Sequence, residues 1–261
     1  GDVLEGPAGH TMNEHGSTAA FGGVSADITF YDKDVETMKR EIRTIIEKHV
    51  RSTIDFERPT GGLLSGGMDS SVINHISSGI LREKQGNDAR LKTFAIGVGE
   101  SGDIQNARLM SKHIGSEHFE ISVTIEDLIA AVPDVIYYLE SFDPSLVRSS
   151  IANYLISRHA AKEHGIEVLL SGEGGDEMFC GYTYLKEVPY EEMVEKQLEC
   201  LGYLHNNASL RLDRMNQCNS IKVVAPLISG ELLDYALHVP PQYKQHEENG
   251  TRVEKWIFRK A

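Results

Sequence analysis

Cysteine is scarce in this 261-residue chain: Cys180, Cys200 and Cys218 are the only three, and they form no C-x-x-C pair. An odd set without that spacing excludes a disulfide scaffold and a zinc knuckle, and it fits a reducing cytoplasm. Positive charge is short as well, with 26 Lys and Arg against 39 Asp and Glu for a net −13. A general nucleic-acid binder needs a basic surface to displace counterions from phosphates, so that partner class is excluded. No apolar run approaches the ~18 residues that cross a bilayer, and no charged-then-apolar signal segment opens the chain. Hydrophobic period is missing from the Gly-, His- and polar-rich first thirty residues. Residues 1–33 are therefore expected to be a tag, a linker or a processed end, leaving one folded domain over 34–261. The rest is ordinary for a chain that buries a core, 40% hydrophobic and 25% charged.

From Asp34 the pattern becomes regular. Val35, Met38, Ile42, Ile45, Ile46 and Val50 recur at helical spacing and predict a helix over 35–54. Four apolar runs, 61–64, 91–98, 118–121 and 166–170, read as strands, and helical stretches over 69–83, 103–114, 125–139 and 148–164 separate them. That alternation implies right-handed crossovers and an α/β fold, an open parallel sheet with helices on both faces. Beyond Asp176 a helical C-terminal portion follows, with helices over 190–204, 232–238 and 252–260. Ligands of such sheets bind beyond the carboxyl ends of the strands, which directs attention to the loops after Leu64, Val98, Ile121 and Leu170.

Two of those loops carry chemistry. Leu63-Leu64-Ser65-Gly66-Gly67-Met68-Asp69-Ser70-Ser71 links the first strand to its helix. Adjacent glycines let backbone approach an anion, the helix start offers unsatisfied N–H groups, and Asp69 can hold Mg²⁺ against phosphate oxygens. It is not a Walker A loop, because G-x-x-x-x-G-K-[ST] is absent. After the fourth strand comes Leu169-Leu170-Ser171-Gly172-Glu173-Gly174-Gly175-Asp176-Glu177, three carboxylates among three glycines, suited to a metal and a general base. Near the end, Thr251 with Glu254 reads as a capping box that starts a helix at Arg252, with Arg252, Lys255 and Arg259 on a cationic side.

The first string resembles the pyrophosphate-binding S-G-G-x-D-S loop of the ATP-pyrophosphatase superfamily, whose sheet is of the adenine nucleotide alpha hydrolase type. The second, continuing through Met178-Phe179-Cys180-Gly181-Tyr182, resembles the S-G-E-G-[AS]-D-E motif of the synthetase domain of asparagine synthetases. The likeness extends through Tyr138 to Asp143, Arg148-Ser149-Ser150 and Val253 to Arg259, and it covers roughly residues 34–261.

The resemblance implies an ATP- and Mg²⁺-dependent ligase that adenylates a small-molecule carboxylate and passes it to ammonia or an amine. Ser65, Gly66, Gly67, Asp69 and Ser70 would hold pyrophosphate. Ser171 and Gly172, with strand-end backbone near Leu64 and Ile96, would contact adenosine. Asp69 and Asp176 would share Mg²⁺, and Ser145 and Arg148 would sit near the phosphates. Lys255 would stabilise the charged phosphorus and departing pyrophosphate. Glu173 would take a proton from the attacking nitrogen, a position where β-lactam synthetases carry Tyr.

The likeness has departures. The family segment close to G-V-E-A-R-V-P-F-L-D is matched by Ser220 to Ser229, where Lys222 replaces the Glu, Val224 the Arg and Ser229 the Asp. A related ligase or cyclase on another carboxylate, of β-lactam synthetase or lasso-peptide cyclase type, stays open beside aspartate, as does a non-catalytic nucleotide-binding module. The glutaminase half of the family uses an N-terminal Cys, whereas the first cysteine here is Cys180. A glutaminase would then be a separate domain or subunit, or a removed portion. The chain ends within a helical pattern at Ala261 with no cap signal, giving the expectation of a truncated domain. A homodimer is kept among the candidate assemblies.

Other signals compete. Gly97-Val98-Gly99-Glu100-Ser101-Gly102 matches G-x-G-x-x-G, with Glu120 about twenty residues on, as in a dinucleotide fingerprint. It follows the second strand, not the first, which weighs against an NAD-dependent oxidoreductase. A tRNA-modifying pyrophosphatase is opposed by the net −13. Asn207-Ala208-Ser209 and Asn249-Gly250-Thr251 are glycosylation sequons without secretory context.

Overall fold

The computed structural model describes residues 10–12, 18–20, 28–204 and 208–261. The rest of the expected 1–33 head, and Asn207 of the first sequon, lie outside the described residues. In chain order come β1 (His10–Met12), β2 (Thr18–Ala20), α1 (Val35–Thr53), β3 (Thr60–Leu63), α2 (Met68–Gln85), β4 (Lys92–Gly97) and α3 (Gly102–Ile114). Then follow β5 (Glu117–Ser122), α4 (Ile125–Leu139), α5 (Pro144–His164), β6 (Val168–Leu170), α6 (Gly175–Phe179), α7 (Met193–Tyr203), α8 (Ser209–Gln217) and β7 (Lys222–Val224). Last are α9 (Gly230–His238), α10 (Pro241–Lys244), β8 (His246–Glu248), β9 (Thr251–Val253) and α11 (Trp256–Lys260).

Local chemistry sets many of these boundaries. The Asp34 carboxylate accepts from Thr37 N at 2.8 Å at the start of α1. Thr124 and Asp127 close a capping box at α4, and Asp143 caps α5 with Pro144 in its first turn. Gly115 and Gly165 end α3 and α5 in left-handed conformation.

Two compact units result: residues 1–42, 176–206 and 229–261 make one, and residues 43–175 and 207–228 the other. The second, larger unit holds a parallel sheet ordered β5-β4-β3-β6-β7. The expected α/β class is what forms. Phe94, Ile156, Ala160, Ile166, Leu169 and Ile221 pack together, while Leu64, Ala95, Ile104, Ala107 and Ile114 form a separate cluster. A further cluster joins α4, α5 and α8 through Val135, Leu139, Tyr154, Leu155 and Met215. In the other unit, Cys180, Leu185, Met193 and Cys200 form a core beside the antiparallel pair β8–β9. Among the described residues no helix is long and apolar enough to cross a membrane.

Five strands lie where no strand was expected. The fifth sheet strand, β7, falls inside the 220–229 segment, β8 precedes the expected final helix, and β9 replaces its first residues. The head, read as lacking regular structure, contains the β1–β2 pair.

Candidate functional site

Strand β3 lies at the centre of the sheet, flanked by β4 and β6, so its carboxyl end opens between theirs. Leu64 N donates to Phe94 O at 2.8 Å, extending the pairing one residue, and the Leu64 side chain is fully buried. Ile96 is half-buried on β4. After Leu64 the chain turns through Ser65 and Gly66 into Gly67, the N-cap of α2. Glycine supplies no side-chain cap there, so the first turn of this 18-residue helix keeps N–H groups and the positive end of its dipole for an anion. The Ser65 and Ser70 hydroxyls are hydrogen-bonded to each other at 3.0 Å, and Ser71 Oγ donates to Gly67 O at 2.7 Å. These bonds brace the loop before any ligand arrives. Buried Asn74 adds a clamp, its Nδ2 donating to Leu63 O and Ser70 O, both at 2.8 Å.

Strand β6 pairs beside β3, with Gly62 opposite Leu170, so the second loop leaves the sheet next to the first. Ser171 N donates to Val224 O of β7 at 2.8 Å. Gly172 then presses its backbone on the start of α2: a Cβ there would stand 2.4 Å from Ser70 N and 2.7 Å from the Asp69 carbonyl carbon. Gly175 does the same to a side chain, because its Cβ would lie 2.5 Å from the Asp69 carboxylate. Ser65, Ser70, Asp69, Ser171 and Gly172 are thereby drawn to one place from residues a hundred positions apart.

The loop's three carboxylates have different partners. Glu173 forms an ion pair with Arg211 on α8, through Arg211 Nη2 and Glu173 Oε1. Glu177, in the other unit, is buried and accepts the phenolic hydrogen bond of Tyr182. Burial, then the Glu177 bond, pushes the Tyr182 hydroxyl well above its ordinary range. Asp176 pairs with Lys255, Nζ to Oδ1 at 2.7 Å, and Asp176 Oδ1 would stand 1.9 Å from any Cβ on Gly181.

Lys255 is not on a helix started at Arg252, which corrects the expected capping box. Thr251–Val253 is strand β9, paired with His246–Glu248 across Asn249 and Gly250, whose φ values are 51° and 77°. Two successive left-handed residues make the tight hairpin turn that Asn-Gly favours. Lys255 follows with φ 53°, only 8% exposed, and α11 starts after it. Trp256 Nε1 donates to Glu248 Oε1 at 2.6 Å and ties α11 to the hairpin. Arg259 turns to Glu254 at 2.6 Å, so the expected cationic side does not form as one helical face.

Ser145 and Arg148 occupy the first turns of α5 and are exposed. The helix runs 21 residues, about 30 Å, toward the start of β6, placing both at its far end. Nothing among the described residues ties them to the two loops. The 97–102 glycines close β4 and open α3, where Ser101 caps the helix. Glu120, the acidic member of that fingerprint, is held by Arg108 at 2.6 Å, which also reaches Glu100.

The sequence missed Arg211. Leu210 and Leu212 alternate like a strand, and only the fold puts Leu212 and Met215 inside with Arg211 beside Glu173.

The asparagine synthase family model matches residues 41–199 and 189–261. The chain belongs to the asparagine synthase family. Asparagine synthetase [glutamine-hydrolyzing] of Gallus gallus is 36% identical over 229 residues, 87% of this chain and 40% of that protein. Asparagine synthetase [glutamine-hydrolyzing] 2 of Lotus japonicus is 32% identical over 224 residues, 84% of this chain and 38% of that protein. The chain thus spans about two fifths of the length of these asparagine synthetases. Among solved structures, it is similar to a tRNA thiolase of Methanococcus maripaludis at 18% identity and a TM-score of 0.44, covering 86% of this chain and 71% of that one.

Proposed function

We propose that this asparagine synthase family chain is an ATP-dependent amide-forming ligase that passes through an acyl-adenylate. The observation that carries the reading is the backbone of Gly172 packed on the start of α2, whose first turn has no side-chain cap. That arrangement suits a triphosphate, with Ser65, Gly66, Gly67 and Ser70 around the β and γ phosphates. Two carboxylates, Asp69 and Asp176, would hold Mg²⁺, and hard oxygen donors are what that ion prefers. Bound there, Mg²⁺ would neutralise phosphate charge.

In the proposed sequence, a substrate carboxylate oxygen attacks the α-phosphorus and the bond to the bridging oxygen breaks, giving acyl-AMP and pyrophosphate. Lys255 supplies positive charge where it develops on phosphorus and leaving group. Ser145 and Arg148 assist at the phosphates, and Ser171 and Gly172, with backbone near Leu64 and Ile96, seat the adenosine. The nitrogen nucleophile then attacks the acyl carbon, Glu173 takes its proton, and AMP leaves with the amide formed. Holding both reactants together provides much of the rate.

Aspartate is the proposed acid and ammonia the nitrogen source, supplied free or by a glutaminase domain or subunit, as the glutamine-hydrolyzing names of the relatives suggest. Lys222, Val224 and Ser229 favour a second reading, the same chemistry on a different carboxylate. The test is carboxylate-dependent release of AMP and pyrophosphate from ATP, run over aspartate, other amino acids and small diacids. Release of ADP and phosphate instead would overturn the adenylation step.

A further inference from the structure

Glu173 stands between Gly172 and Gly174, with its side chain 31% exposed. What fixes it is Arg211, on a different element 38 residues on. Helix α8 is itself well anchored. Leu212 and Met215 are buried, and Asn216 Nδ2 donates to Asn153 Oδ1 on α5 at 3.2 Å. Arg214 Nη1 donates to Leu139 O at the end of α4 and pairs with Glu140 at 3.1 Å. The Arg211 side chain is 18% exposed, so its guanidinium is held by its surroundings and not by the ion pair alone.

The contact is also one-armed. Nη2 engages Glu173 Oε1, while Arg211 Nε is buried with no hydrogen-bond partner among the described residues. A bidentate guanidinium pair would occupy both carboxylate oxygens. Here Arg211 bonds only Oε1, which leaves the lone pairs of the second oxygen, Oε2, for a proton.

We propose that Arg211 is a positioning residue for amide formation: it holds Glu173 by one oxygen so that the other faces the incoming nitrogen. The inference rests on the proposed function and deepens it. Arg211 has no part in adenylation, which precedes the proton transfer, so the two half-reactions separate its effect.

The experiment compares ATP–pyrophosphate exchange, which reads adenylation, with amide formation from aspartate and ammonium chloride. In R211M, exchange stays within about twofold of the parent while the kcat of amide formation falls about 30-fold, within the range general-base positioning can supply. The KM for ammonia changes little, and R211K recovers much of the rate because a single donor arm suffices. E173Q and the E173Q/R211M double variant are equally slow, since Arg211 acts only through Glu173. R211Q carries the same comparison should R211M fail to fold. Parallel loss of exchange and amide formation would overturn the assignment, as would a double variant slower than E173Q. A parent chain with no exchange would sink the proposed function and this inference together, whereas parent exchange with parallel losses in R211M sinks this inference alone.

Discussion

Lys255 meets Asp176 at 2.7 Å from a left-handed backbone, φ 53°, that lysine seldom adopts. Such a conformation costs on the order of 1 kcal/mol, and it aims the ammonium of a nearly buried side chain at the residue next to Gly175. A solvated surface lysine would not be held this way. Lys255→Met should lower carboxylate-dependent pyrophosphate release by about 100-fold or more, the scale of losing one preorganised charge at a transition state. Lys255→Arg should stay near that floor, because a planar fork does not replace a point charge. Pyrophosphate release by Lys255→Met at parent rate would remove Lys255 from the proposed machinery.

Gly172 and Gly175 are steric predictions. Alanine at 172 would place a carbon 2.4 Å from Ser70 N, and at 175 one 2.5 Å from the Asp69 carboxylate. The first clash is with backbone at a helix start and the second with a side chain. Gly172→Ala should therefore destabilise by about 1–3 kcal/mol, the usual range for overpacking. Gly175→Ala should cost less stability and instead raise the Mg²⁺ requirement by displacing Asp69. Thermal melts and Mg²⁺ titrations of ATP turnover separate the two. Equal melting shifts with unchanged Mg²⁺ dependence would refute the distinction.

Much of this arrangement is readable along the chain, for a physical reason. Parallel strands buried inside the sheet appear as short apolar runs, so β3, β4 and β6 stand out, edge strand β5 shows only the alternation of Phe119 and Ile121, and the glycine loops follow where strands meet helices. Strand β7 does not, because Lys222-Val223-Val224 lies on the sheet edge with Lys222 exposed and both valines only half-buried, so no buried apolar run marks it. The β8–β9 hairpin is polar, His246-Glu247-Glu248 against Thr251-Arg252-Val253, so it lacks an alternating apolar signal. Thr251 and Glu254 imitate a capping box, whereas the informative pair is Asn249-Gly250. The partners of Glu173 and Asp176 lie 38 and 79 residues on, and no local pattern announces them.

Ser229 stands where the family pattern has Asp, and its Oγ accepts from Leu232 N at 3.1 Å to cap α9. Both residue types cap helices well. Ser229→Asp should thus leave stability within about 0.5 kcal/mol, while Ser229→Ala costs about 1 kcal/mol in urea unfolding. If Ser229→Ala were neutral, the cap would not explain the substitution.

Cys180 gives a pH prediction. It is fully buried, and burial pushes its thiol from 9.0 up to about 11. Between those values the unfolded chain has lost the thiol proton and the folded chain still holds it. Fewer protons on the unfolded state mean that stability falls as pH rises. The contribution is intact below about pH 9 and is lost by about pH 11, a difference on the order of 2–3 kcal/mol. Cys180→Ala should lack this alkaline loss. Tyr182, also raised, ionises in both proteins and cancels in the difference. Urea unfolding of parent and variant across that window provides the measurement. Parallel curves would show that Cys180 does not titrate with unfolding, and a gap closing by about 2 kcal/mol would show that it does.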